Sequence, residues 1–293
     1  MQLNHLSRAG VCLSAALICS PISAQETFRS EIFFLHSNSE FGSLDGNSNV
    51  FAGAYFFSPV NTGNGPLAEN TFLSRSSAIS VVVNNSELSG AFSKSQYDAD
   101  SSGYGLFFEI RDPSTPNTVL AGLLKNKTDI TSPVETNHDT TTTIFALGRY
   151  FSDNFHVNLR FFKRQAHDLP AGWDDYYAYS IASKFVKPSS NGSTYNLEVS
   201  FDRVYDDYNS IREINNSISV EGDYYLNNYF GIGGGINLDR GDNEDTEGET
   251  LTLGTSYFFS SSLGVEIQAS RFYPNKSELT KDKSINATIA LRF

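Results

Sequence analysis

Short stretches in which apolar and polar side chains alternate recur along the chain, and no long stretch has the 3.6-residue repeat of an amphipathic helix. The last stretch, SINATIALRF, ends the chain at Phe293. It places Ile285, Ile289 and Leu291 on one side of an extended strand and Asn286 on the other. A strand of this kind needs an apolar environment on one side only. The second sheet of a soluble sandwich and a lipid bilayer are the two environments that fit.

Alternating segments of about ten residues, separated by turn-forming residues, indicate fourteen strands. Their predicted bounds are 29–37, 48–57, 77–87, 103–111, 118–127, 141–151, 155–164, 176–186, 194–204, 213–226, 229–238, 249–259, 263–272 and 284–293. An even count brings both chain ends to the same side of a closed barrel, and counts of twelve or sixteen stay open. In 48–57 and 118–127 both faces carry apolar residues, so the sequence does not say which face points outwards.

The connections between the segments differ in length in a regular way. Three are very short and lie between aromatic residues: 152–154, 227–228 and 260–262. Others are long and polar, such as 164–175, 238–249 and 273–283. Short turns at one end and long loops at the other are typical of outer-membrane β-barrels, whose aromatic girdles lie at the membrane interfaces.

Charged residues in the middle of the strands share the polar face. Because Arg or Lys facing the bilayer midplane costs about 2–4 kcal/mol, these residues must face inwards in a barrel. The outer face of a sandwich would satisfy the same alternation, but the short turns, the aromatic residues and the N-terminal segment favour the barrel. The predicted pore-lining residues are Glu109, Arg111, Arg160, Arg164, Lys184, Glu198, Asp202, Glu221, Asp223, Glu266 and Arg292. Basic and acidic residues on opposite walls would create a transverse field, whereas pairing across the lumen would close it.

The first 24 residues have the pattern of a secretory signal peptide. Arg8 precedes a short apolar run, and Ala24 offers a small residue at the cleavage site. Cys12 and Cys19 raise the alternative of a lipoprotein, but Val and Ile precede them where a small residue is needed. The sequence therefore predicts a signal peptide over 1–24 and a single barrel domain over 25–293.

Charge and cysteine content narrow the class of protein further. Removing residues 1–24 leaves 20 Lys and Arg against 33 Asp and Glu, a net charge of 20 − 33 = −13, and removes both cysteines. Such an acidic exported chain is not expected to bind nucleic acid, and disulfides do not hold it together.

Part of the N-terminal region resembles the general porin family of Gram-negative bacteria. The matching residues are SPV at 58–60, GPLAE at 65–69 and FL at 72–73, followed by a Ser-rich strand start. The terminal INATIALRF is similar to the C-terminal strand that outer-membrane barrels present to their assembly machinery. The resemblance implies a β-barrel pore for small hydrophilic solutes in the outer membrane, with Phe293 as part of an insertion signal.

The connection over 58–76 contains a helix start, because Pro66 is followed by Ala68 and Glu69. We expect a short helix that caps the periplasmic end of the barrel. The alternative is that the connection folds into the lumen as a constriction.

Catalytic and metal-binding motifs give little support for an enzyme. His138-Asp139 and His167-Asp168 are adjacent pairs with no nucleophile readable beside them, and G-x-S-x-G, H-E-x-x-H and Walker motifs are missing from the sequence. The acidic stretch 239–249 is interpreted as a solvated loop; Ca²⁺ binding that bridges to lipopolysaccharide is the alternative. No enzyme activity, cofactor or metal is predicted.

Together these patterns predict an all-β fold, a transmembrane antiparallel up-and-down β-barrel of about 14 strands, in the cell outer membrane. The predicted function is passive diffusion of small hydrophilic solutes or ions through a charged lumen. Predicted partners are outer-membrane lipid, lipopolysaccharide and, during insertion, the barrel-assembly machinery. The alternative function is a non-conducting barrel that acts as an adhesin or structural protein through long acidic external loops. The oligomeric state stays open.

Overall fold

A computed structural model of the chain describes residues 26–63, 65–92, 95–131, 136–167, 173–188, 192–208, 211–242, 247–275 and 282–293. Within these ranges lie fourteen strands: β1 (Thr27–Phe41), β2 (Leu44–Asn61), β3 (Ala78–Phe92), β4 (Ser95–Arg111), β5 (Asn117–Thr131), β6 (Thr136–Ser152), β7 (Phe155–His167), β8 (Trp173–Pro188), β9 (Thr194–Tyr208), β10 (Ile211–Tyr225), β11 (Phe230–Gly241), β12 (Gly248–Ser260), β13 (Leu263–Pro274) and β14 (Lys283–Arg292). Each strand pairs antiparallel with its neighbours in the chain, and β1 pairs with β14, which closes the barrel. The predicted fold class and strand count are confirmed. The predicted signal peptide, 1–24, lies outside the described residues.

The strands extend further at one end of the barrel than the sequence predicts. β7 continues to His167 and β8 begins at Trp173, while β11 continues to Gly241 and β12 begins at Gly248. Residues 168–172, 243–246 and 276–281 of the predicted long loops lie outside the described residues, while the parts next to them at 165–167, 173–175 and 239–241 are strand. These stretches lack an apolar face, so hydropathy does not mark them as strand. The N–H and C=O groups in these stretches nevertheless form hydrogen bonds with the adjacent strand, so the ladder continues beyond the apolar part of each strand.

Every strand places an apolar side chain on the outer surface of the barrel. One such exposed residue from each strand, in chain order, is Phe34, Phe51, Val81, Leu106, Leu123, Leu147, Leu159, Ile181, Val199, Val220, Ile232, Leu253, Ile267 and Ile289. Leu253, for example, is 73% exposed. Soluble proteins rarely expose apolar side chains in one continuous surface of this size. The outer surface thus carries an apolar belt that runs around the closed barrel.

Aromatic side chains border the belt. At the end with the short turns, Phe151 contacts Phe155 with ring centroids 5.8 Å apart, and Phe155 contacts Phe185 at 6.4 Å. On β9, outward-facing Tyr195 and Tyr205 lie ten residues apart in the chain. At about 3.4 Å per residue and a tilt of about 40°, this spacing spans a height of roughly 26 Å. That height matches the apolar band of about 25 Å that outer-membrane barrels present to lipid.

The two strands whose facing was not readable carry apolar residues on the inside of the barrel. With Phe51 and Leu123 outside, Val50 and Leu124 point inwards. Phe107 also points inwards and lies over Gly122, where a Cβ atom would collide with its ring. The β1–β5 side of the interior is therefore partly filled by apolar side chains.

The seam between β1 and β14 contains a buried ion pair. Arg292 Nε donates to Glu31 Oε1 at 2.6 Å, and both side chains are almost fully buried. The guanidinium lies 4.7 Å from the ring centroids of both Phe28 and Phe258. Arg292 was predicted to line the pore. It does face inwards, but it is packed between two aromatic rings and is shielded from the lumen.

The main chain of Phe293 completes the seam. Its carbonyl accepts hydrogen bonds from the N–H groups of Arg29 (2.7 Å) and Ser30 (2.9 Å), and its N–H donates to the Ser30 carbonyl at 2.8 Å. A β-bulge between Phe28 and Ser30 makes room for this arrangement. The terminal residue is therefore part of the hydrogen-bonded ladder, and its ring points outwards. Its role as an insertion signal stays a prediction.

We expect Glu31→Gln to destabilise the barrel by about 3–5 kcal/mol, because the substitution leaves the buried Arg292 guanidinium without a counter-charge. Urea unfolding of the barrel in detergent or lipid measures this change. Glu40→Gln is the matched control, since Glu40 joins the same two strands through Lys283 at 2.8 Å but both side chains are more than half exposed. An exposed pair contributes about 0–1 kcal/mol, so equal effects of the two substitutions would contradict the role assigned to the buried pair.

Candidate functional site: the lumen and its inner segment

The connection between β2 and β3 folds into the barrel. Within it, residues 65–77 form what we call the inner segment: a 3-10 turn, Leu67–Glu69, leads directly into a short helix α1, Asn70–Ser74. Pro66 precedes the turn, as expected for a residue with a fixed φ and no N–H to satisfy. Arg75 ends α1 in the left-handed conformation with φ 49°. The predicted short helix is therefore present.

Apolar packing holds the inner segment against the inner wall near the short turns. Leu67 and Phe72 are buried, and the Phe72 ring lies 5.5 Å from the ring of Tyr150 and packs against Val186. The Leu67 N–H donates to the carbonyl of Asn228 in the short turn between β10 and β11. The inner segment thus crosses from β2 to the region of β10. It caps this end of the barrel and occupies the lumen at once, so it combines both alternatives left by the sequence.

A charged cluster fixes the middle of the inner segment to the wall. The Glu69 carboxylate lies 2.8 Å from Lys184 Nζ and accepts a hydrogen bond of 2.9 Å from the Tyr225 hydroxyl. Lys184 also pairs with Glu198 at 2.6 Å, so one ammonium group serves two carboxylates. Burial raises the pKa of the Glu69 carboxyl above its usual range, and the neighbouring Lys184 opposes that shift.

The C-terminal part of the inner segment has its own anchor. Arg75 donates to the Ser152 carbonyl and pairs with Asp153, both at 3.0 Å, in the short turn between β6 and β7. Its guanidinium also lies 4.0 Å from the centre of the Tyr150 ring. From β4, Arg111 Nη1 donates to the Thr71 carbonyl at 3.3 Å. Anchors at three places indicate that the segment has one defined position in the lumen.

All eleven residues predicted to line the pore have the inward alternation. Four basic residues lie on β4, β7 and β8: Arg111, Arg160, Arg164 and Lys184. Five acidic residues lie on β9, β10 and β13: Glu198, Asp202, Glu221, Asp223 and Glu266. Because β4–β8 and β9–β13 are contiguous arcs of the barrel, the basic and acidic residues largely separate into two walls. Glu109, on the basic arc, and Arg292, in the seam, are the exceptions.

Some of these charges pair and others face the lumen. Glu109 and Arg111 are paired at 2.7 Å, and Lys184 and Glu198 at 2.6 Å. Arg160 is exposed to the lumen and donates to Asn158 at 2.8 Å, while the guanidinium of Arg164 lies 4.7 Å from the Tyr176 ring. The two ion pairs join residues of one strand or of neighbouring strands, so they do not cross the lumen as the sequence alternative expected.

A cavity of about 190 Å³ lies between the inner segment and the acidic wall. Its carboxylates are those of Glu69, Glu198, Glu221, Asp223 and Glu266, with Asn196 beside them. Gly235 on β11 faces Glu221 across the strand pair, and a Cβ atom there would lie 2.7 Å from Glu221 Cγ. Glycine on this strand leaves space for the acidic side chains.

Three residues of this site were not predicted from the sequence: Glu69, Asn196 and Tyr225. Asn196 and Tyr225 share the inward alternation of the predicted residues on their strands, so that signal was present. Glu69 lies outside any strand, where alternation gives no direction.

Neither a protein-family model nor a curated protein sequence matches the chain. Among solved structures, the outer membrane protein Omp33 of Acinetobacter baumannii is similar, with TM-score 0.60 and 16% identity over 92% of this chain and 99% of that one. A TodX monoaromatic hydrocarbon channel mutant has TM-score 0.56 and 10% identity over 95% and 93% of the two chains. The CymD monoaromatic hydrocarbon channel has TM-score 0.56 and 9% identity over 92% and 89%. The chain shares the fold of these barrels. At such low identity the likeness extends to the fold and no further.

Other kinds of site find little support in the described parts of the chain. His138 and Asp139 are successive residues of β6 and point to opposite faces, so they do not form a catalytic pair. Asp168, of the second predicted pair, lies outside the described residues. Across the described ranges, no three His, Cys, Asp or Glu side chains are grouped to hold a metal ion. No helix in these ranges is both long enough and apolar enough to cross a bilayer.

We expect Lys184→Met to loosen the inner segment, because the change leaves the buried Glu69 carboxylate without a cation, at a cost of about 3–5 kcal/mol. The measurement is the rate of tryptic cleavage after Arg75 in the folded barrel, which should rise. Lys187→Met is the matched control, since Lys187 lies on the same strand, faces outwards and is exposed. Cleavage at the same rate in both variants would show that the ion pair does not hold the segment.

Proposed function

We propose that this protein is an outer-membrane channel for passive diffusion of small hydrophilic solutes or ions, with selectivity in its wall charges. One observation carries the proposal. The closed barrel has a continuous apolar belt outside, and charged side chains line its inside. A soluble barrel would have the opposite arrangement, because water outside favours polar residues and a dry core excludes unpaired charges.

The number of strands and the inner segment together set the bore. Eight strands enclose a space that side chains fill, while sixteen to eighteen leave an aqueous channel. Fourteen strands lie between these limits, so the inner segment determines how much of the lumen stays open at the short-turn end. Such a narrowing suits small solutes and excludes folded proteins.

The alternative, an adhesin or structural barrel without conductance, finds less support. It was based on long acidic external loops, but most of the residues in those stretches that the structure describes extend the strands. We also propose that the chain is not an enzyme. The fold neighbours described above include two channels, and the His–Asp pair that the structure describes is split between two faces.

Planar-bilayer recordings test the channel directly. We expect reproducible single-channel steps from the wild type and conductance several times larger when a short Gly-Ser linker replaces residues 65–75, because the linker clears the lumen. Replacing 113–115, in a turn at the same end, with Gly-Ser is the control and should leave conductance unchanged. A folded barrel that stays electrically silent in both wild type and linker variant would overturn the channel and favour the structural alternative.

In the outer membrane the protein would contact three partners. Lipid would contact the apolar belt, and the barrel-assembly machinery would recognise the C-terminal strand that ends at Phe293. Lipopolysaccharide would contact a row of outward basic residues just beyond the belt, at the end away from the short turns. These are Lys163, Arg203, Arg240 and Arg271, and three of them lie over tyrosine rings at 5.3–5.5 Å. Basic side chains at the level of lipid head groups suit the phosphates of lipid A.

We expect the double substitution Arg203→Gln and Arg271→Gln to weaken lipopolysaccharide binding roughly 30-fold, since each basic residue near an anionic lipid surface contributes about 1 kcal/mol. Binding of fluorescent lipopolysaccharide to the barrel in neutral detergent measures the loss. Arg149→Gln with Lys187→Gln is the control, because both residues face outwards at the opposite end. Equal loss in the two double variants would mean that the row has no particular affinity for lipopolysaccharide.

A further inference from the structure

We infer that the acidic cavity beside the inner segment is the narrowest part of the permeation path and makes the channel select cations. This inference rests on the proposed channel function and adds to it the charge of the preferred solute.

The position of the cavity follows from what fills the rest of the short-turn end. On one side the inner segment packs on the walls around β6, β8 and β10. On the other side, Phe28, Phe56, Val60 and Ala78 form a buried cluster next to the aromatic cage of Arg292. Between the two packed regions lies the cavity, bordered by β9 to β13 and by residues 68–69 of the inner segment. A solute that leaves the lumen at this end would pass through it.

The charge of the cavity is strongly negative. Five carboxylates line it, and Lys184 is the cation paired with two of them, which gives −5 + 1 = −4. Glu221 accepts a hydrogen bond from Ser219, and Asp223 accepts one from Asn196. Glu221, Asp223 and Glu266 form no salt bridge with a cationic side chain among the described residues. Mobile cations would therefore have to balance the charge.

Asn196 gives an independent indication of a ligand. It is only 6% exposed and borders the cavity. Its Nδ2 donates to Asp223 at 3.0 Å and to Glu198 at 3.5 Å, which orients the amide. Its Oδ1 is buried and has no hydrogen-bond partner in the described structure. A buried carbonyl oxygen with no donor, placed among carboxylates, is an acceptor for a partly hydrated cation or an ammonium group.

The free basic residues of the lumen lie away from this constriction. Arg160 pairs in register with Ser180, and Arg164 with Tyr176, whereas Lys184 pairs with His156 nearer the short turns. Anions would meet these arginines in the wider part of the lumen and then the negative cavity. An enclosed wall of one sign raises the local concentration of counter-ions by roughly tenfold or more.

The test is the reversal potential of single channels in a KCl gradient, with the double variant Glu221→Gln and Glu266→Gln against the wild type. Both changes keep side-chain size, and migration of unheated samples on a gel confirms a folded barrel. We expect a clear preference for K⁺ over Cl⁻ in the wild type, reduced at least several-fold in the double variant. Glu221→Lys should move the preference further, towards Cl⁻. Glu249→Gln is the matched control, because Glu249 lies on β12 of the same arc but faces outwards and should leave selectivity unchanged.

The outcomes distinguish a failure of the cation path from a failure of the channel function. Wild-type channels that conduct without preferring cations would overturn the cation path and leave the channel function intact. The same holds if the double variant keeps the full preference of the wild type. Absence of any conductance would overturn both.

Discussion

Closure of the hydrogen-bonded ladder between β1 and β14 is the constraint on which the rest of the structure depends. In hydrocarbon an unpaired strand edge leaves a row of N–H and C=O groups without partners, at several kcal/mol each. Closure removes both edges, and the seam receives extra support from the main chain of Phe293 and from the buried pair of Glu31 and Arg292. Once the barrel is closed, each strand has one face towards the outside and one towards the lumen, and no third environment exists.

The width of the closed barrel gives the inner segment a large effect on the open part of the lumen. A barrel of fourteen strands is too wide for its wall side chains to fill the lumen completely. It is also narrow enough that an inserted segment takes up a large part of the lumen. The inner segment is held by packing of Phe72 and by charged groups at Glu69 and Arg75. It also divides the short-turn end into packed regions and an acidic cavity. The properties of the proposed pore therefore depend on a connection, while the wall supplies the charges.

Sequence reasoning succeeded where a local pattern had a single geometric meaning. Alternation located all fourteen strands and the direction of residues such as Arg160 and Glu266, because side chains on successive strand residues point to opposite faces. It failed for the strand extensions that end at His167 and Gly241, because strand extensions with water on both sides have no apolar face. It also could not distinguish Arg292, enclosed by Phe28 and Phe258, from Arg160, which is open to the lumen. Both face inwards, and their difference arises from neighbours on other strands.

By itself, the sequence determined the class of fold, a count of about fourteen strands and the face to which the predicted pore-lining residues belong, since these follow from the period of two and from the cost of placing charge in lipid. Only the tertiary structure decided which charges pair, where the connection between β2 and β3 lies and which part of the lumen is acidic. Those features join residues far apart in the chain, such as Glu69 with Tyr225 and Glu31 with Arg292. Their contacts exist only after the ladder has closed and brought distant strands to opposite sides of one narrow space.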